Sequence, residues 1–271
     1  MRGNGENGAL ALPDELELPA FDSKFSAPPT TPYVILIPVI NEGERILTQL
    51  AGMKKSRLEL DIVLVDGGST DGSVEPSRLE RELGVHTLLV KTGPARLSAQ
   101  LRVGMAHSLR AGYRGIVTID GNGKDDYRAI PEFVQRLEGG CGFVQGSRYL
   151  PGGTAENTPL ARELAVRFLH APLISLGAGY RYTDTTNGFR GFSRGFLLDP
   201  RVRPFRAVFD TYNLHYYLSI RAPRLGFRVC EIPVGRRYPA RGSTPSKIGG
   251  LRGKLHILKQ TLLAVAGAYD P

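Results

Sequence analysis

Apolar positions along the chain follow two alternating periods. Short, uncharged, β-branched runs at Tyr33–Pro38, Asp61–Val65, Val85–Val90, Gly115–Ile119 and Gly142–Gln145 predict strands. Between them, apolar residues recur every three or four positions. Ile46, Leu47, Leu50 and Met53 mark one helix face, Leu97, Leu101, Met105 and Leu109 a second, and Ile130, Phe133, Val134 and Leu137 a third. This alternation predicts an α/β fold with a mainly parallel sheet flanked by helices, its strands buried on both faces. The second half is less regular. Helices are expected near Ala161–Ser175 and Asp210–Arg224, a strand at Phe227–Val234, and a closing helix at Leu255–Ala268. Residues 1–31, rich in Gly, Pro and acid, predict a flexible leader, and residues 235–250 a mobile basic loop. Residues 32–271 then form a single domain.

Composition narrows the class. At 271 residues and 41% hydrophobic content the chain can bury one large core or two modest ones. No window approaches the roughly 18 apolar residues that a spanning helix needs. The first residues lack the apolar core of a signal peptide. Cys141 and Cys230 each lie in an apolar, strand-like run and are expected as separate buried thiols, as in a reducing cytosol. No Cys/His spacing suggests zinc. The net charge of +9 is uneven: no acid occurs from Ile232 to Tyr269, where Arg236, Arg237, Arg241, Lys247, Arg252, Lys254 and Lys259 all fall. Such a block favours an anionic surface or phosphate groups over a merely solvated face. Nucleic acid is disfavoured, because aromatic residues are not interleaved with these cations.

The chemistry gathers at the ends of the predicted strands. Pro38-Val39-Ile40-Asn41-Glu42 follows the first, Asp66-Gly67-Gly68-Ser69-Thr70-Asp71-Gly72-Ser73 the second, Thr92-Gly93-Pro94-Ala95-Arg96 the third, and Asp120-Gly121-Asn122 the fourth. In open α/β sheets this carboxyl edge is where ligands bind. Oxygen ligands at Asp120 and Asn122 suit a hard divalent cation shared with phosphates. Each loop alone is also ordinary turn chemistry; Asp66–Ser73 can be Asx-turns with a helix cap. All four in this order are far more specific.

In these loops the chain resembles the GT-A fold glycosyltransferases of family 2, most closely their dolichol-phosphate mannosyltransferase-like branch. The resemblance spans roughly residues 33–250. It is carried by Pro38…Asn41-Glu42, Val65-Asp66-Gly67-Gly68-Ser69-Thr70-Asp71-Gly72, Asp120-Gly121-Asn122, Gly146-Ser147-Arg148-Tyr149, Asn187-Gly188-Phe189-Arg190 and Ser246-Lys247. It implies inverting transfer of a sugar from a nucleotide-diphosphate donor, with Mg²⁺ or Mn²⁺ as cofactor. It implies a nucleotide-binding half (32–150) and an acceptor-side half (151–271). Pro38, Asn41, Glu42 and Asp66 would line the nucleoside pocket, and Arg96 and Gln100 would lie near the donor. Asp120 and Asn122 would face metal and diphosphate; Gly68, Gly121 and Lys247 complete the donor-side set.

Two departures stand out. The usual second carboxylate is Asn122, and a position that often carries another neutral oxygen ligand is Lys124, an ammonium that cannot ligate while protonated. Asp125 or Asp126 could compensate as a ligand, or Lys124 could take over part of the metal's electrostatic role. Arg148 and Arg190 could add bidentate phosphate contacts. Arg148 could instead make a surface salt bridge, and Arg190 a structural ion pair with Asp184. A polyprenyl or dolichyl phosphate acceptor is already anionic and needs no strong base; a hydroxyl acceptor does. Asp210 is the base candidate, or else an N-cap, and His215 beside Tyr216 and Tyr217 is expected to pack. The likeness of Arg236-Arg237…Arg241…Ser246-Lys247 to the acceptor-side segment of that branch points to a lipid phosphate, and to a cytoplasmic protein peripheral at the inner membrane face. The competing expectations are a soluble hydroxyl acceptor, or a nucleotide-sugar-binding protein without catalysis.

Overall fold

The computed structural model describes residue 12 and residues 16–94, 96–239 and 250–271. Expected strands and helices alternate in the first half: β2 (Tyr33–Val39), α1 (Glu44–Lys55), β3 (Asp61–Asp66), β4 (Thr87–Lys91), α2 (Leu97–Ala111), β5 (Gly115–Thr118), α3 (Ile130–Glu138) and β6 (Phe143–Ser147). Ahead of them lies β1 (Phe21–Ser26), and after them β7 (Thr154–Glu156), α4 (Leu160–Ala165), α5 (Ala171–Ala178), β8 (Arg190–Ser193), α6 (Arg194–Leu197), α7 (Asn213–Arg224), β9 (Val229–Pro233), β10 (Gly235–Arg237) and α8 (Gly250–Val265). Among the described residues, eight strands form one sheet in the order β1-β4-β3-β2-β5-β8-β6-β9, and β7 pairs with β10 separately.

The pairings β2–β3, β3–β4, β2–β5 and β6–β9 are parallel, so the sheet is mainly parallel as expected. Strand β8 runs antiparallel between β5 and β6. Alternate residues of the central strands feed opposite cores. Val34, Leu36, Val63, Val65 and Leu89 pack with α2, α5 and α7 residues, among them Leu101, Met105, Ile174 and Leu218. Ile35, Ile37, Val39, Leu64 and Val117 pack with Ile46, Leu50, Ile130 and Phe133 of α1 and α3. Burial on both faces explains why these strands are uniformly apolar.

From β2 the chain steps to β3 and β4 on one side, then returns to place β5 on the other. The loops after β2 and β5 therefore flank a topological switch point, where a crevice opens beyond the strand ends.

Three expectations need correction. Part of the stretch expected as a flexible leader is built into the sheet: β1 pairs antiparallel with β4, from Phe21 opposite Lys91 to Ser26 opposite Thr87. Leu12, Leu16 and Leu18 pack on the core. Cys141 and Cys230 are not separate thiols but a disulfide, with Cα atoms 6.2 Å apart. The parallel pairing of β6 with β9 brings together residues 89 apart in sequence, so the thiol-based argument for a reducing cytosol falls away. Finally, the expected basic loop 235–250 begins as β10, in parallel register with β7: Gly235 lies opposite Thr154, Arg236 opposite Ala155 and Arg237 opposite Glu156. Arg241, Ser246 and Lys247 lie outside the described residues.

Candidate active site

The strand-end loops meet as expected. The Asn41 N–H donates to Ser69 Oγ at 2.9 Å, and Asn41 Oδ1 accepts from Thr70 N–H at 2.8 Å. The Gly43 N–H donates to Asp71 Oδ2 at 2.8 Å. Asn41 sits at φ 50°, a left-handed conformation uncommon outside glycine, which these reciprocal bonds hold in place. Gln100, buried at the start of α2, donates from Nε2 to the carbonyls of Val39 (2.7 Å) and Val65 (2.9 Å). It thus ties together the ends of β2 and β3 rather than reaching into open space.

Asp66 is buried, and its carboxylate accepts from the N–H of Ser69 at 2.9 Å and from its hydroxyl at 2.5 Å. This is the turn chemistry that the sequence also allowed. Gly68 (φ 93°) needs the conformational freedom of glycine. Pro38 lies in β2 opposite Val65; Glu42 is buried and bonded to Arg45 at 2.9 Å; Arg96 is exposed at the entry to α2.

The Asp120-Gly121-Asn122 loop has a partner that the sequence did not announce. Arg236 is buried and bridges two carboxylates, with Nη2 3.0 Å from Asp120 Oδ2 and Nη1 2.5 Å from Asp125 Oδ2. Backbone bonds fix this contact: Asp126 N–H donates to Gly235 O at 2.9 Å and Arg237 N–H to Lys124 O at 2.8 Å. The Asn122 amide donates from Nδ2 to Asp120 Oδ2 at 3.2 Å, so it too faces the carboxylate as a donor.

Backbone space is tight around this loop. A Cβ at Gly188 would lie 2.7 Å from Asp120 Oδ1, and one at Gly121 2.5 Å from Val39. A side chain at Gly188 would therefore displace the Asp120 carboxylate, and one at Gly121 would displace Val39. Burial opposes ionisation of Asp120, but the charge and hydrogen bond of Arg236 outweigh it and hold this carboxyl below its ordinary value. Burial pushes Asp125 up; Arg236 pulls the other way, and the neighbouring Asp120 charge adds to the rise. Lys124 is buried with Nζ 5.0 Å from the centre of the Tyr238 ring, and burial, then Arg236, lower its pKa. A groove of about 650 Å³ opens beside the loop, lined by Arg45, Gln49, Asn122, Lys124, Tyr127 and Tyr238 among others.

The arginines expected at phosphate are engaged elsewhere. Arg148, whose side chain is 2% exposed, grips Asp184 bidentately (Nε–Oδ2 2.6 Å, Nη2–Oδ1 2.9 Å) and bonds Thr186 Oγ1 at 2.7 Å. This is a buried pair and not a surface bridge. Asp184 thus belongs to Arg148 and not to Arg190. Arg190 is buried and donates to the carbonyls of Asn187 (2.9 Å), His215 (2.7 Å) and Thr185 (2.8 Å) and to Ser219 Oγ (3.1 Å). Its fork knits β8 to α7. Burial lowers its pKa to about 10.

Asp210 does not cap α7, which begins at Asn213. Its carbonyl accepts from Arg96 N–H at 2.9 Å, which brings it to the carboxyl edge beside α2. His215 is packed as expected, and burial followed by Arg190 drives its pKa well down, while Asp120 opposes them.

The donor set does not suit a divalent ion. Asp120 Oδ2 already accepts from a guanidinium and an amide, and Asp125 is paired to the same guanidinium. Among the described residues, no three His, Cys, Asp or Glu side chains converge as a cation site. The expectation that Asp125 or Asp126 completes a metal site fails on the same ground. Asp126 caps its own turn and pairs with Arg128 at 2.8 Å.

A family model described as Glycosyl transferase family 2 matches residues 34–199. The chain is 27% identical over 268 residues to the polyprenol monophosphomannose synthase of Mycolicibacterium smegmatis, covering 96% of this chain and 97% of that one. It is 27% identical over 202 residues to the undecaprenyl-phosphate mannosyltransferase of Micrococcus luteus, covering 73% and 81%. Its fold is similar to that of glucosyl-3-phosphoglycerate synthase from Mycobacterium tuberculosis, solved in complex with Mn²⁺, uridine diphosphate and glucosyl-3-phosphoglycerate. There the TM-score is 0.61 at 19% identity, over 87% of this chain and 80% of that one.

Proposed function

The chain belongs to glycosyl transferase family 2, and on that footing we propose that it moves a sugar, with inversion, from a nucleoside-diphosphate donor to a polyprenyl phosphate. The observation that carries the acceptor is the likeness to a polyprenol monophosphomannose synthase, which runs through 96% of the chain. The donor end rests on the loops of Asn41, Asp66 and Asp120, with Gln100 of α2 tying the ends of β2 and β3 together, at the switch point of a GT-A type sheet.

In the step itself a phosphate oxygen of the acceptor forms a bond to the sugar C1. The bond from C1 to the donor diphosphate breaks, and the nucleoside diphosphate leaves. The attacking oxygen is already anionic, so no strong base is required and Asp210 is dispensable. The requirement is to neutralise the leaving diphosphate. In solved structures of similar fold Mn²⁺ accompanies uridine diphosphate. Here no step is routed through a metal, because Asp120 and Asp125 are both paired to the Arg236 guanidinium that lies between them.

A surface suited to the lipid supports this reading. No helix among the described residues is long and apolar enough to cross a membrane. The helical stretch of α4 and α5 nevertheless exposes Leu160, Leu164, Phe168 and Leu176, Phe168 by 73% and Leu176 by 77%. Leu160, Leu164 and Phe168 recur every four residues on one stripe, and α8, which packs on α5, adds Leu255 and Leu262. An apolar face of this kind, with Lys254 and Lys259 beside it, suits peripheral contact with an anionic leaflet. We place the protein at such a leaflet, as a peripheral protein.

The test is a panel of nucleotide sugars with purified protein, scored by released nucleoside diphosphate with and without polyprenyl phosphate in vesicles. Release that depends on the lipid supports the proposal. Release that depends instead on a soluble saccharide or metabolite replaces the acceptor. No release with any acceptor leaves only nucleotide-sugar binding.

A further inference from the structure

The side chain best placed to hold a diphosphate lies outside the strand-end loops in which the donor-side residues were expected. Arg236 enters from β10, the far end of the chain, and its guanidinium lies between Asp120 and Asp125, where the sequence pattern leads one to expect a cation. Its position is built and not adventitious. The strand pairing with β7, the backbone bonds on either side of Arg236 and the bridge between residues 125 and 236 all hold it against the loop. The Tyr238 ring lies 5.7 Å from the guanidinium carbon. Asn122 contributes to the same arrangement, presenting Nδ2 to Asp120 as a donor. Lys124, next along the loop, is a second buried cation. Beside them Asn187 Nδ2, a buried donor, has no hydrogen-bond partner among the described residues, and Asn187 Oδ1 lies 3.5 Å from Arg236 Nη1. A buried donor left open beside a fixed positive charge suits a ligand that brings its own oxygens.

We infer that Arg236, with Lys124, takes the place of the divalent cation: the guanidinium between Asp120 and Asp125 neutralises the donor diphosphate, and transfer proceeds without metal. A guanidinium offers fixed, planar donors to phosphate oxygens and carries its charge at every accessible pH. Asp120 and Asp125 then orient Arg236 rather than ligate an ion, and a second cation between them would have to expel a buried side chain whose backbone is tied down on both sides. This rests on the donor-site reading proposed above.

The test is calorimetric titration of the whole protein with uridine diphosphate and guanosine diphosphate, in EDTA and in Mn²⁺. For the wild type, the affinity of the preferred diphosphate should change by less than about threefold between the two conditions. Arg236→Gln, checked for folding by circular dichroism, should weaken binding in EDTA by about tenfold or more, and Mn²⁺ should restore part of it. Arg236→Lys, which keeps the charge but cannot span both carboxylates, should fall between them. If Arg236→Gln does not fold, Lys124→Gln carries the same expectation with a smaller loss. Wild-type binding that disappears in EDTA overturns the inference, as does undiminished binding by Arg236→Gln. If neither diphosphate binds under either condition, the donor-site reading fails and the inference fails with it.

Discussion

Replacing Asp184 by asparagine preserves the volume of the side chain and removes one half of the Arg148 pair. Both partners are enclosed, at 2% and 0% side-chain exposure, and the contact is bidentate, so solvent screening offers no relief. The remaining guanidinium would keep Thr186 Oγ1 but lose its only countercharge among these contacts. A buried ion left without its partner costs about 3–5 kcal/mol. That is a large share of the roughly 5–15 kcal/mol that holds a domain folded. In urea unfolding at neutral pH the Asp184→Asn midpoint should fall accordingly, as should that of Arg148→Met. The double variant Arg148→Met/Asp184→Leu should recover most of the loss, because it buries no unpaired charge. Acid adds an independent check. Burial opposes the Asp184 charge, but Arg148 outweighs it and depresses the pKa. Its contribution is therefore complete above about pH 4, the unfolded value, and lost as pH falls through the lower folded value. The asparagine variant should lack that acid limb. Single variants that cost less than about 1 kcal/mol would refute the pair as structural and return Arg148 to the list of groups free to meet phosphate.

Asp120→Ala should leave the circular dichroism spectrum intact and reduce transfer by about a hundredfold or more, since it removes the loop group that orients Arg236 at the diphosphate; near-normal turnover would contradict the site. His170, held neutral by burial and then by Arg190 with its pKa down at about 4, bonds Thr185 Oγ1 through Nδ1 at 2.7 Å. Stability should be complete above about pH 6.5 and fall by about 1.4 kcal/mol per pH unit from this residue as pH drops toward 4; urea titrations of His170→Gln should lack that slope. Phe168→Glu/Leu176→Glu should weaken sedimentation with anionic vesicles by about tenfold while leaving diphosphate binding unchanged, whereas equal sedimentation would exclude this face as the lipid contact.

The first half of the fold was legible because each parallel strand is apolar on both faces and each helix carries a clear stripe, so pattern and structure coincide from Tyr33 to Ser147. The convergence of Asn41, Asp66 and Asp120 followed from the same logic. What stayed hidden depends on contacts distant in sequence. Strand β1 is short and polar (Phe-Asp-Ser-Lys-Phe-Ser), as an edge strand can be, and only its pairing with β4 distinguishes it from a leader. Cys141 and Cys230 meet only through the β6–β9 pairing. Arg236 opens a run of basic, Pro- and Gly-rich residues that reads as a mobile basic loop, and nothing local reveals that its guanidinium turns inward to two acids more than a hundred residues away. The exchange of Asp184 between Arg148 and Arg190 is of the same kind, because six residues in sequence proved a poorer guide than the neighbouring strand.

The most direct measurement is the product itself. Purified protein, the preferred nucleotide sugar labelled in its glycosyl group, and polyprenyl phosphate in vesicles should yield a lipid-extractable sugar phosphodiester. Nuclear magnetic resonance should show the anomeric configuration at C1 opposite to that of the donor. A labelled product confined to the aqueous phase, or one that retains the donor's configuration, would contradict the assignment of an inverting transferase acting on a polyprenyl phosphate.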